Sequence, residues 1–143
     1  MFYGRHRHTL DAKGRIIIPA CYREDLGSGF LLMRGDEECL LVYPGSELEK
    51  FSAKFAELPS TDRSAQAYIR MFLSGMSRCD FDNQGRILIP ADLREYAGLE
   101  KEAVVIGAYN RIEIWSRDKW EAYTAASREN YNAILNDMTR FGI

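Results

Sequence analysis

The chain has 143 residues, of which 46% are hydrophobic and 28% charged, and its formal net charge is −2. The length fits one domain or two very small ones, and the apolar share is enough to bury a core, which excludes a disordered, collagen-like or low-complexity chain. No apolar run approaches the roughly 20 residues of a membrane helix, the basic N-terminus lacks the apolar stretch of a secretory signal, and Cys21, Cys39 and Cys79 are far apart with no CxxC pair, a pattern that suits a reducing cytoplasm better than a zinc site or disulfide framework.

In chain order, residues 2–10 read as an extended segment ending in Asp11-Ala-Lys-Gly-Arg15. Gly14 suits a left-handed turn position there. Residues 15–18 form a β-branched run too short for a helix. Pro19 ends it and can open a short helix running to about Leu26, with Gly27 as its stop. Two strands follow, 30–34 and 39–43, joined by the Gly35-Asp36-Glu37-Glu38 turn. Ser46-x-x-Glu49 reads as a capping box for a helix that buries Leu48, Phe51, Phe55 and Leu58 and stops at Pro59. A linking helix over 61–74 carries Ala65, Tyr68, Ile69, Phe72 and Leu73 as an apolar stripe. The pattern then begins again. An extended segment, 76–81, leads to Asp82, Gly85 and a short strand, 86–89. Pro90 and a helix to Ala97 with Gly98 come next, then strands 103–106 and 111–115 around Ala108-Tyr109-Asn110. A last helix starts near Asp118 and uses Trp120, Tyr123, Ile134 and Leu135 on its apolar side.

That recurrence is an internal duplication. Residues 11–27 and 82–98 share ten of seventeen positions at an offset of 71, including Arg23/Arg94 and Glu24/Glu95, and Arg7 matches Arg78. The chain is therefore expected to be α+β and pseudo-symmetric, with the two copies sharing one core, since a unit of about 70 residues buries little surface alone. Charge alternates with the repeat: +4 over residues 1–23, −6 over 24–62, +2 over 63–94 and −2 over 95–143. A net-acidic chain with basic blocks can still present one face to a polyanion.

The repeated Asp-x-x-Gly-Arg has a plain reading as a turn in which Asp accepts backbone hydrogen bonds and pairs with Arg. A carboxylate dyad of Asp11 and Asp82 is disfavoured, because the adjacent arginines would keep both ionised. His6 and His8 share a strand face without a carboxylate at ligand spacing, so no metal and no cofactor is expected. A nucleic-acid reading absorbs more of the pattern. Arg5, His6, Arg7, His8, Lys13 and Arg15 gather on one strand and turn, Arg78 and Arg86 recur, and guanidinium groups suit phosphate and the guanine edge. The competing view is a charged strand edge that only prevents aggregation.

Met1-Phe-x-Gly, Leu10-Asp-x-Lys-Gly-Arg-Ile, Ile18-Pro, Tyr22-Arg23, Leu41-x-Tyr43-Pro44, Asp82-x-x-Gly-Arg86 and Ile114-Trp115 together resemble the MraZ family over nearly the whole chain. The resemblance implies a bacterial transcriptional regulator, cytoplasmic and nucleoid-associated, built from two tandem AbrB/SpoVT-like units as a swapped-hairpin β-barrel with flanking helices. It implies no enzyme activity. It further implies a ring-shaped homo-oligomer that binds direct repeats in double-stranded DNA upstream of a division and cell-wall gene cluster, as a repressor. The expected division is a first repeat with its closing helix at 1–59, a linking helix at 60–75 and a second repeat with C-terminal helices at 76–143. Arg15 and Arg86 are the expected DNA contacts, with Lys13, Arg5 and Arg7 on phosphates. Asp11, Gly14, Asp82 and Gly85 shape the turns. The alternative is a non-catalytic interaction scaffold or an antitoxin-like member of the same superfamily.

Overall fold

Short apolar runs bounded by turn residues become strands in the computed structural model, which describes residues 1–143. The first repeat contributes β1 (Arg5–Thr9), β2 (Arg15–Ile17), α1 (Ala20–Leu26), β3 (Phe30–Arg34), β4 (Leu40–Tyr43) and α2 (Glu47–Ala56), followed by α3 (Arg63–Ser74). The second contributes β5 (Ser77–Cys79), β6 (Arg86–Leu88), α4 (Ala91–Ala97), β7 (Glu102–Gly107), β8 (Ile112–Ser116), α5 (Arg117–Glu129) and α6 (Tyr131–Met138).

Six strands form one antiparallel sheet in the order β1-β7-β8-β4-β3-β5, and β2 pairs with β6 in a separate ribbon. The order interleaves the repeats. β1 of the first copy pairs with β7 of the second, from Arg5 opposite Ile106 to Thr9 opposite Glu102. β5 of the second pairs with β3 of the first, from Phe30 opposite Cys79 to Leu32 opposite Ser77. Cross-strand partners share a face, so Phe30, Leu32, Leu40, Val42, Ala103, Val105, Ile112 and Ile114 point inward. There they meet Ile16, Ile18, Ile87 and Ile89 of the ribbon in a core of 19 buried residues drawn from both copies.

The barrel expected from the resemblance is not closed. β1 and β5 are the two edges of the sheet, and the ribbon is hydrogen-bonded to itself. β1 turns away at Asp11, and β2 ends before Pro19, which has no N–H to extend a ladder.

Three local expectations also need correction. Ser46 makes no capping hydrogen bond, because its backbone is already helical (φ −61°, ψ −22°), whereas a capping side chain needs extended backbone. The carbonyls of Pro44 and Gly45 accept from Glu47 and Leu48 N–H instead. The last helix is two helices, broken at Asn130 (φ −102°, ψ 13°). That break takes Ile134 and Leu135 off the stripe of Trp120 and Tyr123 and leaves them exposed. Pro19 and Pro90 occupy the cap positions of α1 and α4 rather than their first turns.

On the outer face of the sheet, α2 and α3 cover Leu31, Met33 and Tyr43 through Leu48, Phe51 and Phe72. Phe72 packs edge-on against Phe51 and Phe55, with ring centroids 5.1 and 5.2 Å apart. Leu58, Tyr68 and Leu73, expected on buried stripes, are exposed. At the other end α5 sets Trp120 and Tyr123 against Trp115.

Candidate nucleic-acid interface

The ribbon lies on the far side of the core from these helices, and its pleat sorts its side chains. Ile16 faces Ile87 across the register and both are buried. Period-two alternation then puts Arg15, Ile17, Arg86 and Leu88 on the opposite, solvent side. Ile17 is 44% and Leu88 59% exposed, large values for apolar side chains between arginines.

Each ribbon strand is entered through an identical turn. Asp11 Oδ1 accepts the backbone N–H of Lys13 and of Arg15, both at 2.9 Å, and Oδ2 accepts Arg15 Nε at 2.6 Å. Asp82 repeats the set with Gln84 and Arg86 N–H at 2.9 Å and Arg86 Nε at 2.7 Å. Gly14 (φ +81°) and Gly85 (φ +74°) supply the left-handed step. The Asp11 carboxyl is held below its ordinary 3.8, chiefly by the Arg15 backbone N–H, and Asp82 likewise by that of Arg86. Both are hydrogen-bond acceptors for a guanidinium, unsuited to proton transfer. With its Nε fixed, Arg15 has both outer nitrogens unpaired and Arg86 has its Nη2 unpaired.

The two turns are tied together across the ribbon. Ile18 N–H donates to the Gly85 carbonyl at 3.1 Å and Ile89 N–H to the Gly14 carbonyl at 3.0 Å. Arg86 Nη1 also lies 3.8 Å from Asp11 Oδ2.

The fold brings together Asp11, Lys13, Gly14, Arg15, Asp82, Gly85 and Arg86. It does not bring Arg5 and Arg7 to them. These lie opposite Ile106 and Val104 on β7, hence on the outer face of the sheet, where they line a cleft with Trp120, Glu121, Thr124 and Arg128. His6 and His8 take the inner face. His6 packs edge-on against Tyr22, with its Nε2 3.7 Å from Cys21 Sγ. Burial, with the neighbouring His6, holds His8 below its ordinary 6.5.

Sequence reasoning assigned no role to Ile17, Leu88, Arg23 or Arg94. Period two from Arg15 and Arg86 could have found the first two. Arg23 and Arg94 were visible as a repeated pair, but their surroundings depend on contacts between the copies.

The chain matches a family model described as "MraZ protein, putative antitoxin-like" twice, over residues 1–71 and 72–141. It is 48% identical over 143 residues to the "Transcriptional regulator MraZ" of Halothermothrix orenii, with all of both chains covered. To the protein of that name from Pelotomaculum thermopropionicum it is 50% identical over 138 residues, covering 96% of this chain and 95% of the relative. To that of Ligilactobacillus salivarius it is 46% identical over the full length of both. With both of its repeats matched and relatives this similar from end to end, the chain belongs to the MraZ family.

Proposed function

We propose that the chain is a non-catalytic, sequence-specific DNA-binding transcriptional regulator that reads duplex DNA with the β2–β6 ribbon. The observation that carries this reading is the pair of matching turns that present Arg15 and Arg86 on one exposed ribbon face. A two-stranded ribbon fits the major groove, where arginine reads guanine and apolar side chains meet the thymine methyl. Arg15 and Arg86 take the first role here, and Ile17 and Leu88 the second. Lys13 contacts phosphate, while Asp11 and Asp82 orient the arginines. Arg5 and Arg7, on the other face of the sheet, meet phosphates of flanking DNA beyond the segment that the ribbon reads.

The interleaving of first strands supports a swapped-hairpin reading in which two halves of one chain stand for an AbrB-type dimer, with 60–75 as the link between 1–59 and 76–143. A net-acidic subunit with so small a reading face gains affinity when identical faces are tied into a ring and engage direct repeats at high effective concentration. We assign such repeats to the region upstream of a division and cell-wall gene cluster, with repression as the outcome and the nucleoid of the cytoplasm as the place. The relatives named as transcriptional regulators support this direction. The test is fluorescence anisotropy with the duplex upstream of the protein's own gene against a scrambled duplex, titrated with salt. Preference for the native duplex and a steep loss with salt are expected. Equal binding to both at every salt concentration would overturn the reading.

The antitoxin-like description of the family favours a second reading, in which the main partner is a protein. The exposed Tyr68, Met71 and Leu73 on α3 would suit it. That partner would bind with a shallow salt slope and without DNA.

A further inference from the structure

The ion pairs neutralise Arg15 and Arg86 within their own turns, Asp11 against Arg15 and Asp82 against Arg86, and leave Lys13 as the unpaired charge of the first turn. Further uncompensated charge beside both turns comes from the helices. Arg23 on α1 and Arg94 on α4 form no ion pair and no hydrogen bond through their side chains, and the Nε of each is buried without a partner. Both guanidinium groups lie on a turn glycine, and in each case it is the glycine of the other repeat. A Cβ added at Gly85 would collide with Arg23 Nη1, and one at Gly14 would fall 2.7 Å from Arg94 Cζ. The Nε of each is sealed, whereas the outer nitrogens reach solvent with no carboxylate to neutralise them, so the same uncompensated guanidinium in the same place twice marks a position built for an anion.

We propose that the chain carries two composite phosphate sites, each assembled crosswise: Arg94 over the Gly14 turn and Arg23 over the Gly85 turn. The ligand class is the phosphodiester of duplex DNA, so the proposal rests on the DNA reading above. The absence of a side chain at each glycine is what lets the opposite repeat's arginine lie down on the turn. Neither repeat therefore owns a complete site.

The experiment is the anisotropy titration with Arg23→Gln, Arg94→Gln, Gly14→Ala, Gly85→Ala and the four Arg/Gly double variants. Each glutamine variant should bind about tenfold more weakly, the scale of a lost charge-assisted hydrogen bond, and lower the salt slope by about 0.9, the value for one phosphate contact. An alanine strains the left-handed turn in every background, so the crossed coupling is read from the difference: Gly14→Ala should lose less in the Arg94→Gln background than in the Arg23→Gln background, with the converse for Gly85→Ala. Unchanged salt slopes in both glutamine variants, or coupling of each glycine to the arginine of its own repeat, would overturn the crosswise sites. The glutamine variants keep both glycines, so the slope test stands even where an alanine variant loses its cooperative melt. Failure of the wild type to bind either duplex in a salt-dependent way would overturn the DNA reading and this proposal together. Wild-type binding without the crossed pattern would overturn this proposal alone.

Discussion

Arg86 is paired to both turns of the ribbon, at 2.7 Å to Asp82 and 3.8 Å to Asp11, whereas Arg15 pairs only with Asp11. The Asp11 carboxylate is thus shared by two guanidinium groups. These pairs are part-exposed, and such pairs contribute little to stability. Their weight falls on where the arginine heads point.

The first prediction follows from that sharing. Asp11→Asn removes the sole carboxylate partner of Arg15 and the second partner of Arg86, whereas Asp82→Asn leaves Arg86 with Asp11, so Asp11→Asn should cost more of the native-to-scrambled preference in anisotropy, about tenfold against a few-fold, the scale of one charge-assisted contact. Both variants should melt close to the wild type. A larger loss in Asp82→Asn would show that Asp11 does not organise the pair.

Acid should leave the turns intact until low pH. Asp11 and Asp82 both titrate below 3.8 in the folded chain. A depressed carboxyl stabilises the fold fully above its unfolded value, and that stabilisation is lost as pH falls through the folded value. The contribution is therefore constant from neutral pH down to about pH 5 and disappears below 3.8. Carboxyl carbon shifts followed by NMR against pH check this. Midpoints at or above 3.8 would contradict the turn geometry.

Ile16 and Ile87 pin the ribbon to the sheet through the shared core. Truncating either to alanine should cost about 2–5 kcal/mol in urea unfolding, the range for a buried isoleucine. Ile17→Ala, one residue away on the solvent face, should cost under about 0.5 kcal/mol, as surface changes do, while weakening DNA binding. Equal destabilisation by the two would mean the ribbon is not seated as described.

The thiols should separate by reactivity. Cys21 is exposed, while burial, with the charge of Glu113, pushes Cys39 up to about 12. Burial also raises Cys79. The thiolate is the reactive form, so maleimide at pH 7.5 should label one site rapidly, and peptide mapping should place it at Cys21. Rapid labelling of Cys39 would show that the β3–β4 turn opens.

Much of this was legible in the sequence because local chemistry decides it. Gly27 and Gly98 end α1 and α4 where expected, and the partnership of Asp11 with Arg15 follows from a short turn. What was not legible depends on pairing at long range. Nothing local in Arg5-His-Arg-His indicates that β7 is its neighbour, and without that register the face taken by Arg5 and Arg7 is undefined. The positions of Arg23 and Arg94 share this origin. Ser46 and Asn130 failed for a different reason: backbone angles at a loop entry and at a helix break override side-chain pattern.

The interleaved strand order bears on how the protein is made. A strand at the extreme N-terminus waits for a partner about a hundred positions later, and long-range closures of that kind slow folding. During synthesis at about 5–20 residues per second, β1 spends several seconds as an unpaired edge. A first half released early would carry β3 with no β5 and β1 with no β7, and two such halves could satisfy each other in trans. Duplication within one chain replaces that encounter with a tether, so the partner arrives at fixed stoichiometry, once per molecule, however dilute the cell keeps the protein.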